Sequence, residues 1–276
     1  MQEHISNVTL WFNHVFGPLA LSFLHALHIQ PTDYDAPIPE YVVMSLITLV
    51  IGTIFALIVR SQLSVERPGA IQQIAELILT NPMGFGIKDL LEENAGHAGD
   101  KFIPFIGGIS IFILISNLLG VFPAFSSPTG NAVVPLACAC LTFLYFNWQG
   151  IRHHGPGHYL LTFAGSPKKA GDWILAILLF PVELISTSAR LLSLTVRLWA
   201  NIIASDLIYA IFLGLLIVPM QWAWTKSPVL GLAFGIFPAM IPILFIGLHI
   251  FVSFIQAYIF TVLPSIYVGM AIADEH

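Results

Sequence analysis

Charge is what this sequence most lacks. Lys, Arg, Asp and Glu together make up 9% of its 276 residues, while 57% are hydrophobic. A soluble globular domain carries about 25% charged residues, so the composition belongs in lipid. The net charge of −5 is scattered, with no basic stripe, which argues against nucleic acid as a partner. Cysteine is nearly absent. Cys138 and Cys140 stand alone in an apolar stretch, and C-x-C without further Cys or His nearby supports neither a zinc site nor a disulfide framework. They read as small apolar side chains of a helix. The first forty residues contain no Lys or Arg, so the charged start of a cleavable signal peptide is missing. Internal repeats and low-complexity segments are also absent.

What is present is a series of long hydrophobic runs. A spanning helix needs about 20 apolar residues, and residues 41–59, 102–122 and 132–148 each qualify. Two longer tracts follow, 173–218 and 229–272. The stretch 70–93 is too mixed to span. Its Ile71, Ile74, Leu77, Ile78 and Leu90 sit among Glu76, Lys88, Asp89, Glu92 and Glu93, the pattern of an amphipathic helix on the membrane surface. In residues 1–40, Trp11, Phe12, Val15, Phe16, Leu19, Phe23 and Leu27 recur at helical spacing, with Asn13, His14 and His25 between them. That pattern predicts an interfacial or partner-docking helix on the extracytoplasmic side. The expected fold is an all-α membrane protein with one membrane domain, 41–276, and five crossings.

The few cations give an orientation. With the amino terminus outside, Arg60, Arg67, Lys88, Lys101, Arg152, Lys168 and Lys169 fall inside and Lys226 alone falls outside. Cytoplasmic loops carry an excess of Lys and Arg, so Met1 is expected outside and His276 in the cytoplasm.

The fourth tract is unusual. From Val182 to Leu213 there is neither Pro nor Gly, and an unbroken helix of that length measures roughly 48 Å. The hydrocarbon core is about 30 Å thick. The last two tracts are therefore expected to run strongly tilted. This fourth tract also carries Glu183, Arg190 and Arg197 at intervals of seven residues, which returns a helix to within about 20° of one direction. Thr187, Ser193 and Asn201 flank that line, and Asp206 lies about half a turn from Arg197. The last tract bears its own polar line of His249, Ser253 and Gln256.

A charge at mid-membrane costs at least about 2.5–3.5 kcal/mol on insertion scales, so each one needs a partner or water. Glu183 and Arg190 form a plausible internal ion pair that ties helices together. That pair leaves Arg197, Asp206 and His249 without an explanation. An intramembrane Arg with no acid within a turn invites a carboxylate from another subunit, and the set points to ion translocation. Elsewhere, His153, His154 and His158 read as solvated or headgroup-facing. His25 and His28 lack supporting carboxylates, so no metal is expected.

The run Pro181-Val182-Glu183-Leu184-Ile185-Ser186, continued by Ala189-Arg190-Leu191-Leu192-Ser193-Leu194-Thr195-Val196-Arg197-Leu198-Trp199-Ala200-Asn201, resembles the signature helix of the subunit a family of F-type ATP synthases. Arg67-Pro68-Gly69, Asn117-Leu118-Leu119-Gly120-Val121-Phe122-Pro123 and Gln256-Ala257-Tyr258-Ile259-Phe260-Thr261 match in the family's order. The resemblance covers about residues 41–276. Departures from the common pattern are Leu191 for a frequent proline, Trp199-Ala200 for Phe-Gly or Phe-Ala, and Ser205-Asp206 for Gly-Glu.

The resemblance implies a stationary proton-channel subunit in a bacterial cytoplasmic (inner) membrane. Its expected partners are a rotating c-ring, a b-subunit peripheral stalk, the rest of the synthase and membrane lipid. No cofactor is implied. The family's essential arginine maps onto Arg197, and its channel residues onto Asn201, Asp206, His249 and Gln256. Asp206 and His249 suit the path from the outer face and Glu183, near the inner end of its helix, the path from the inner face, with Arg190 counted among the proton-translocation residues. No phosphate loop of the G-x-x-x-x-G-K-[ST] type is present, so the chain is expected to be non-catalytic within a catalytic complex. The alternative, a stand-alone proton-coupled transporter, predicts internal repeats and matched Gly/Pro-broken helices, and neither is visible.

Overall fold

The structure, a computed structural model, describes residues 6–31, 33, 34, 36–64, 67–81, 84–122, 125–165 and 172–273. Lys168, Lys169 and His276, used above for orientation, lie outside the described residues. Every regular element among the described residues is helical: α1 (Asn7–Ala26), α2 (Glu40–Ser61), α3 (Ala70–Leu79), α4 (Ile87–Ala95), α5 (Ile103–Leu119), α6 (Val133–His154), α7 (Pro156–Thr162), α8 (Asp172–Lys226) and α9 (Pro228–Ile272). Short 3-10 turns occupy Gly96–Phe102 and Pro128–Gly130. Five helical segments among the described residues are long and apolar enough to cross a membrane, namely Glu40–Ser61, Ala98–Leu119, Val133–His154, Trp173–Lys226 and Ile243–Ile272. The expected class and the expected five spans are therefore observed.

Several boundaries differ from the expectation, each for a local reason. The surface helix expected over 70–93 is two helices. Thr80 leaves the helical region with φ −133° and ψ 115°, and Asn81 precedes a proline, which disfavours helix at that residue. Gly84 follows with φ +76°, a conformation that glycine adopts at little cost. The Asp89 carboxylate then accepts the Asn81 N–H at 2.9 Å, closing the break. The third span runs past residue 148 to His154 and stops where Gly155 takes φ +81°. At 55 residues, α8 continues through Pro181, Gly214 and Pro219. Its length is roughly 80 Å, far more than an upright crossing needs.

The chain packs as two compact units. The first comprises Met1–Val50, Leu114–Asn131 and Leu198–Gln256. Within it, α1 is capped by the Ser6 hydroxyl, which accepts the Thr9 N–H. The side of α1 that packs is polar and small: Thr9, Asn13 and Gly17 are its buried residues. Asn13 clamps the backbone just before α2, donating from Nδ2 to the Ile38 carbonyl at 3.0 Å and accepting the Ile38 N–H at 2.9 Å. The apolar stripe of Trp11, Val15, Leu19, Phe23 and Leu27 remains exposed. Asn13→Ala leaves both Ile38 groups without these partners, at about 1–3 kcal/mol. It is expected to speed amide hydrogen exchange across α1 in the intact membrane complex; unchanged exchange would refute the clamp.

The second unit comprises Ile51–Ile113, Ala132–Arg197 and Ala257–His276. Its core gathers Ile87, Leu91, Phe102, Ile106, Phe146, Tyr159, Val268 and Ala271. Here α7 folds back on α6. The Tyr159 ring lies so close to Gly150 that any Cβ there would overlap it. The Tyr159 hydroxyl donates to Asn147 Oδ1 at 3.1 Å. Burial pushes the Tyr159 phenol above its usual range, against the opposing pull of the Arg190 charge. Gly269 of α9 likewise abuts the Asn94 backbone with no room for a side chain.

Candidate functional site

The first unit holds a polar network inside apolar helices. Asn117, at the end of α5, is fully buried. Its Oδ1 accepts the Thr129 hydroxyl at 2.6 Å, and Thr129 shares a 2.7 Å hydroxyl contact with Ser127. On α9, His249 Nε2 lies 3.1 Å from the Asn117 backbone carbonyl, and its Nδ1 lies 2.8 Å from the Ser205 hydroxyl of α8.

A carbonyl oxygen only accepts, so Nε2 carries the proton. Neutral His249 then accepts at Nδ1 from Ser205, and protonated His249 donates there instead. The ring keeps both hydrogen bonds in either charge state, because only the serine hydroxyl must turn. Asp206, the next residue on α8, is exposed and within electrostatic reach of His249.

Buried polar atoms normally find a partner, yet four in this unit have none among the described residues: Ser116 Oγ, Asn117 Nδ2, Asn201 Nδ2 and Gln256 Oε1. Two of them belong to residues that the sequence pattern had already marked, Asn201 and Gln256.

The second unit holds the line of charges on α8. Arg190 Nη2 lies 3.5 Å from Glu183 Oε1, and its guanidinium sits 5.2 Å from the centre of the Tyr267 ring of α9. Both arginine contacts border an open pocket of about 150 Å³ whose lining also includes Tyr159 and Thr187. Arg197 differs. It is exposed, and its one side-chain hydrogen bond among the described residues is a long 3.5 Å contact to Ser193 Oγ, one turn earlier. No carboxylate of the described residues lies within ion-pair distance of it.

The sequence that builds these spanning helices matches a known family. Residues 42–269 fit the model of the family described as ATP synthase A chain. The chain belongs to that family. It is 39% identical to ATP synthase subunit a of Solibacter usitatus over 240 residues, 87% of this chain and 90% of that one. It is 34% identical to ATP synthase subunit a of Koribacter versatilis over 272 residues, 97% and 98% of the two chains. With the subunit a of Trichlorobacter lovleyi it shares 32% identity over 258 residues, 94% and 96%. The protein is thus a multi-pass membrane component of an ATP synthase.

Among the residues singled out from the sequence, the structure brings Asp206 and His249 together in one unit and Glu183 and Arg190 together in the other. Asn201 and Gln256 supply unpartnered buried atoms in the first unit, while Arg197 stands apart with its guanidinium free of acid. Sequence reasoning missed Ser205, Thr129 and Tyr267 as participants, and it quoted Asn117 only as part of a motif. For Asn117 a signal existed, since an amide in an apolar span rarely lacks a purpose. Tyr267 carried none, because an aromatic in an apolar helix looks like packing.

Proposed function

We propose that this protein is the stationary, non-catalytic proton-channel subunit of the synthase, and that Arg197 faces the membrane carboxyl groups of a rotating c-ring. The observation that carries this reading is an exposed guanidinium on an apolar helix with no acid among the described residues within ion-pair distance. Such a charge needs a partner, and a ring of carboxylates on a neighbouring subunit supplies one at a time.

The chemistry follows from the arginine. An arginine guanidinium keeps its charge in proteins. At about 4 Å and an effective dielectric of about 20 it attracts a carboxylate by roughly 4 kcal/mol, equivalent to about three pKa units. A protonated carboxyl arriving at Arg197 releases its proton, and it is reprotonated only after moving on. With one water path from each membrane face, proton flow becomes rotation, each charge contributing about 2.3 kcal/mol per 100 mV.

Asp206 and His249 belong to the outer path, where the reversible Ser205 contact suits a side chain that gains and loses a proton. Asn201 and Gln256 line it with buried polar atoms that water can serve. Glu183 belongs to the inner path. A b-subunit stalk anchors the protein against the ring's torque.

The orientation belongs to the proposal too, with residues 1–40 and Lys226 outside and residues 168 and 276 in the cytoplasm. Single cysteines at 168 and 226 are expected to label from opposite faces of sealed vesicles, and labelling from one face would overturn it. The subunit is expected to co-purify with a ring of small hydrophobic carboxylate-bearing subunits and an ATPase head. Purification as a functional transporter on its own would refute the assignment.

A further inference from the structure

Arg190 poses a problem for any mechanism built on Arg197. Both lie on the α8 line, seven residues and about 10 Å apart, so a second guanidinium free to lie along that face would also attract carboxylates. The structure shows Arg190 held in a different way. Glu183 faces it at 3.5 Å, and the Tyr267 ring faces it at 5.2 Å. Its side chain retains 23% of its accessible surface against 44% for Glu183. The contact with Tyr267 is of a kind that favours arginine, whose planar cation is drawn to the negative face of an aromatic ring.

We propose that Tyr267 is a positioning residue whose ring holds Arg190 in the pocket, so that Arg197 alone presents a free guanidinium to the ring carboxylates. The inference rests on the reading of Arg197 given above. Glu183 neutralises the Arg190 charge, but a single contact between flexible side chains leaves the arginine able to swing away. The ring supplies the second point of contact, from a different helix, and two points fix a direction. Without it, a carboxylate leaving Arg197 meets a second cation on the same face and is released more slowly. The expected slowing is roughly tenfold, the factor that a unit charge about 10 Å away commands at an effective dielectric of about 20.

The test uses the assembled synthase in sealed vesicles, with ATP synthesis as the readout and bound ring subunits as the check on assembly. Tyr267→Leu and Tyr267→Met are measured in parallel, so that poor assembly of one leaves the other to decide. Both are expected to slow synthesis about tenfold, whereas Tyr267→Phe, which keeps the ring face and loses only the hydroxyl, stays within about twofold of the parent. The decisive comparison is in an Arg190→Gln background, where removing the ring is expected to cause no further loss.

Normal rates in both Tyr267 variants overturn the proposal. So does an undiminished loss in the Arg190→Gln background, and so does failure of both variants to assemble, since either outcome makes Tyr267 a packing residue. Failure of this inference is separable from failure of the Arg197 reading. The first leaves Arg197→Ala inactive, and the second leaves Arg197→Ala making ATP whatever Tyr267 does.

Discussion

Arg197→Ala is expected to abolish proton-driven ATP synthesis while the complex stays assembled. The residue is exposed and its one side-chain hydrogen bond among the described residues is the long contact to Ser193, so its removal orphans no buried hydrogen-bond partner. What disappears is the shift of about three units that forces a passing carboxyl to give up its proton. Protonated carboxyls can then pass between the two paths without stopping, so a passive proton leak accompanies the loss of synthesis. Arg197→Lys is expected to fail as well, because an ammonium lacks the planar fork and gives up its proton when desolvated. Arg190→Ala provides the internal control and should be milder, since that guanidinium is already committed to Glu183 and Tyr267. The measurements are ATP synthesis and proton leak in vesicles, with bound ring subunits as the check on assembly. A purely structural role predicts loss of the complex instead. An assembled Arg197→Ala complex that makes ATP at normal rates would remove this residue from the mechanism.

The features legible in the sequence are those that lipid itself enforces. Span number follows from the length of apolar runs. The line of Glu183, Arg190 and Arg197 stood out because charge in an apolar helix is costly enough to need a reason. Local packing and helix boundaries were harder to read. The stripe of α1 reads as a face for the membrane interface or a partner, and the residues through which the helix packs on its own chain, Thr9, Asn13 and Gly17, are too small and polar to stand out. The polar residues after Trp148 looked like the start of a loop, yet α6 carries Gln149, Arg152 and His153 on towards the glycine that ends it. Periodicity over 70–93 hid the break at Asn81, although the following proline and Gly84 announced it. The contacts that assemble the site were out of reach for another reason. Nothing in one dimension says that Ser205 meets His249 across 44 residues, or that Tyr267 covers Arg190.

His249→Leu and Asp206→Leu are each expected to slow ATP-driven proton pumping on the order of a hundredfold, near the lower end of what a positioned proton-transferring side chain contributes. Both residues stand where a proton can be held without rearranging the protein. His249 is fixed at one nitrogen by the Asn117 carbonyl and at the other by the Ser205 hydroxyl, which serves as donor or acceptor. Charging the ring therefore turns one hydroxyl and moves no helix. Asp206, one residue along α8, offers the next acceptor within electrostatic reach. If the two act in series, removing the second after the first has little further effect, so the double variant should pump about as slowly as the slower single one. Ser205→Ala should be intermediate, because it leaves the imidazole in place but removes the partner that follows its charge. His249→Leu also leaves the Asn117 carbonyl without this donor, so assembly and thermal stability must be followed beside pumping. Normal pumping by an assembled double variant would show that the pair only ties helices together, and the outer path would then have to be sought elsewhere along α8 and α9.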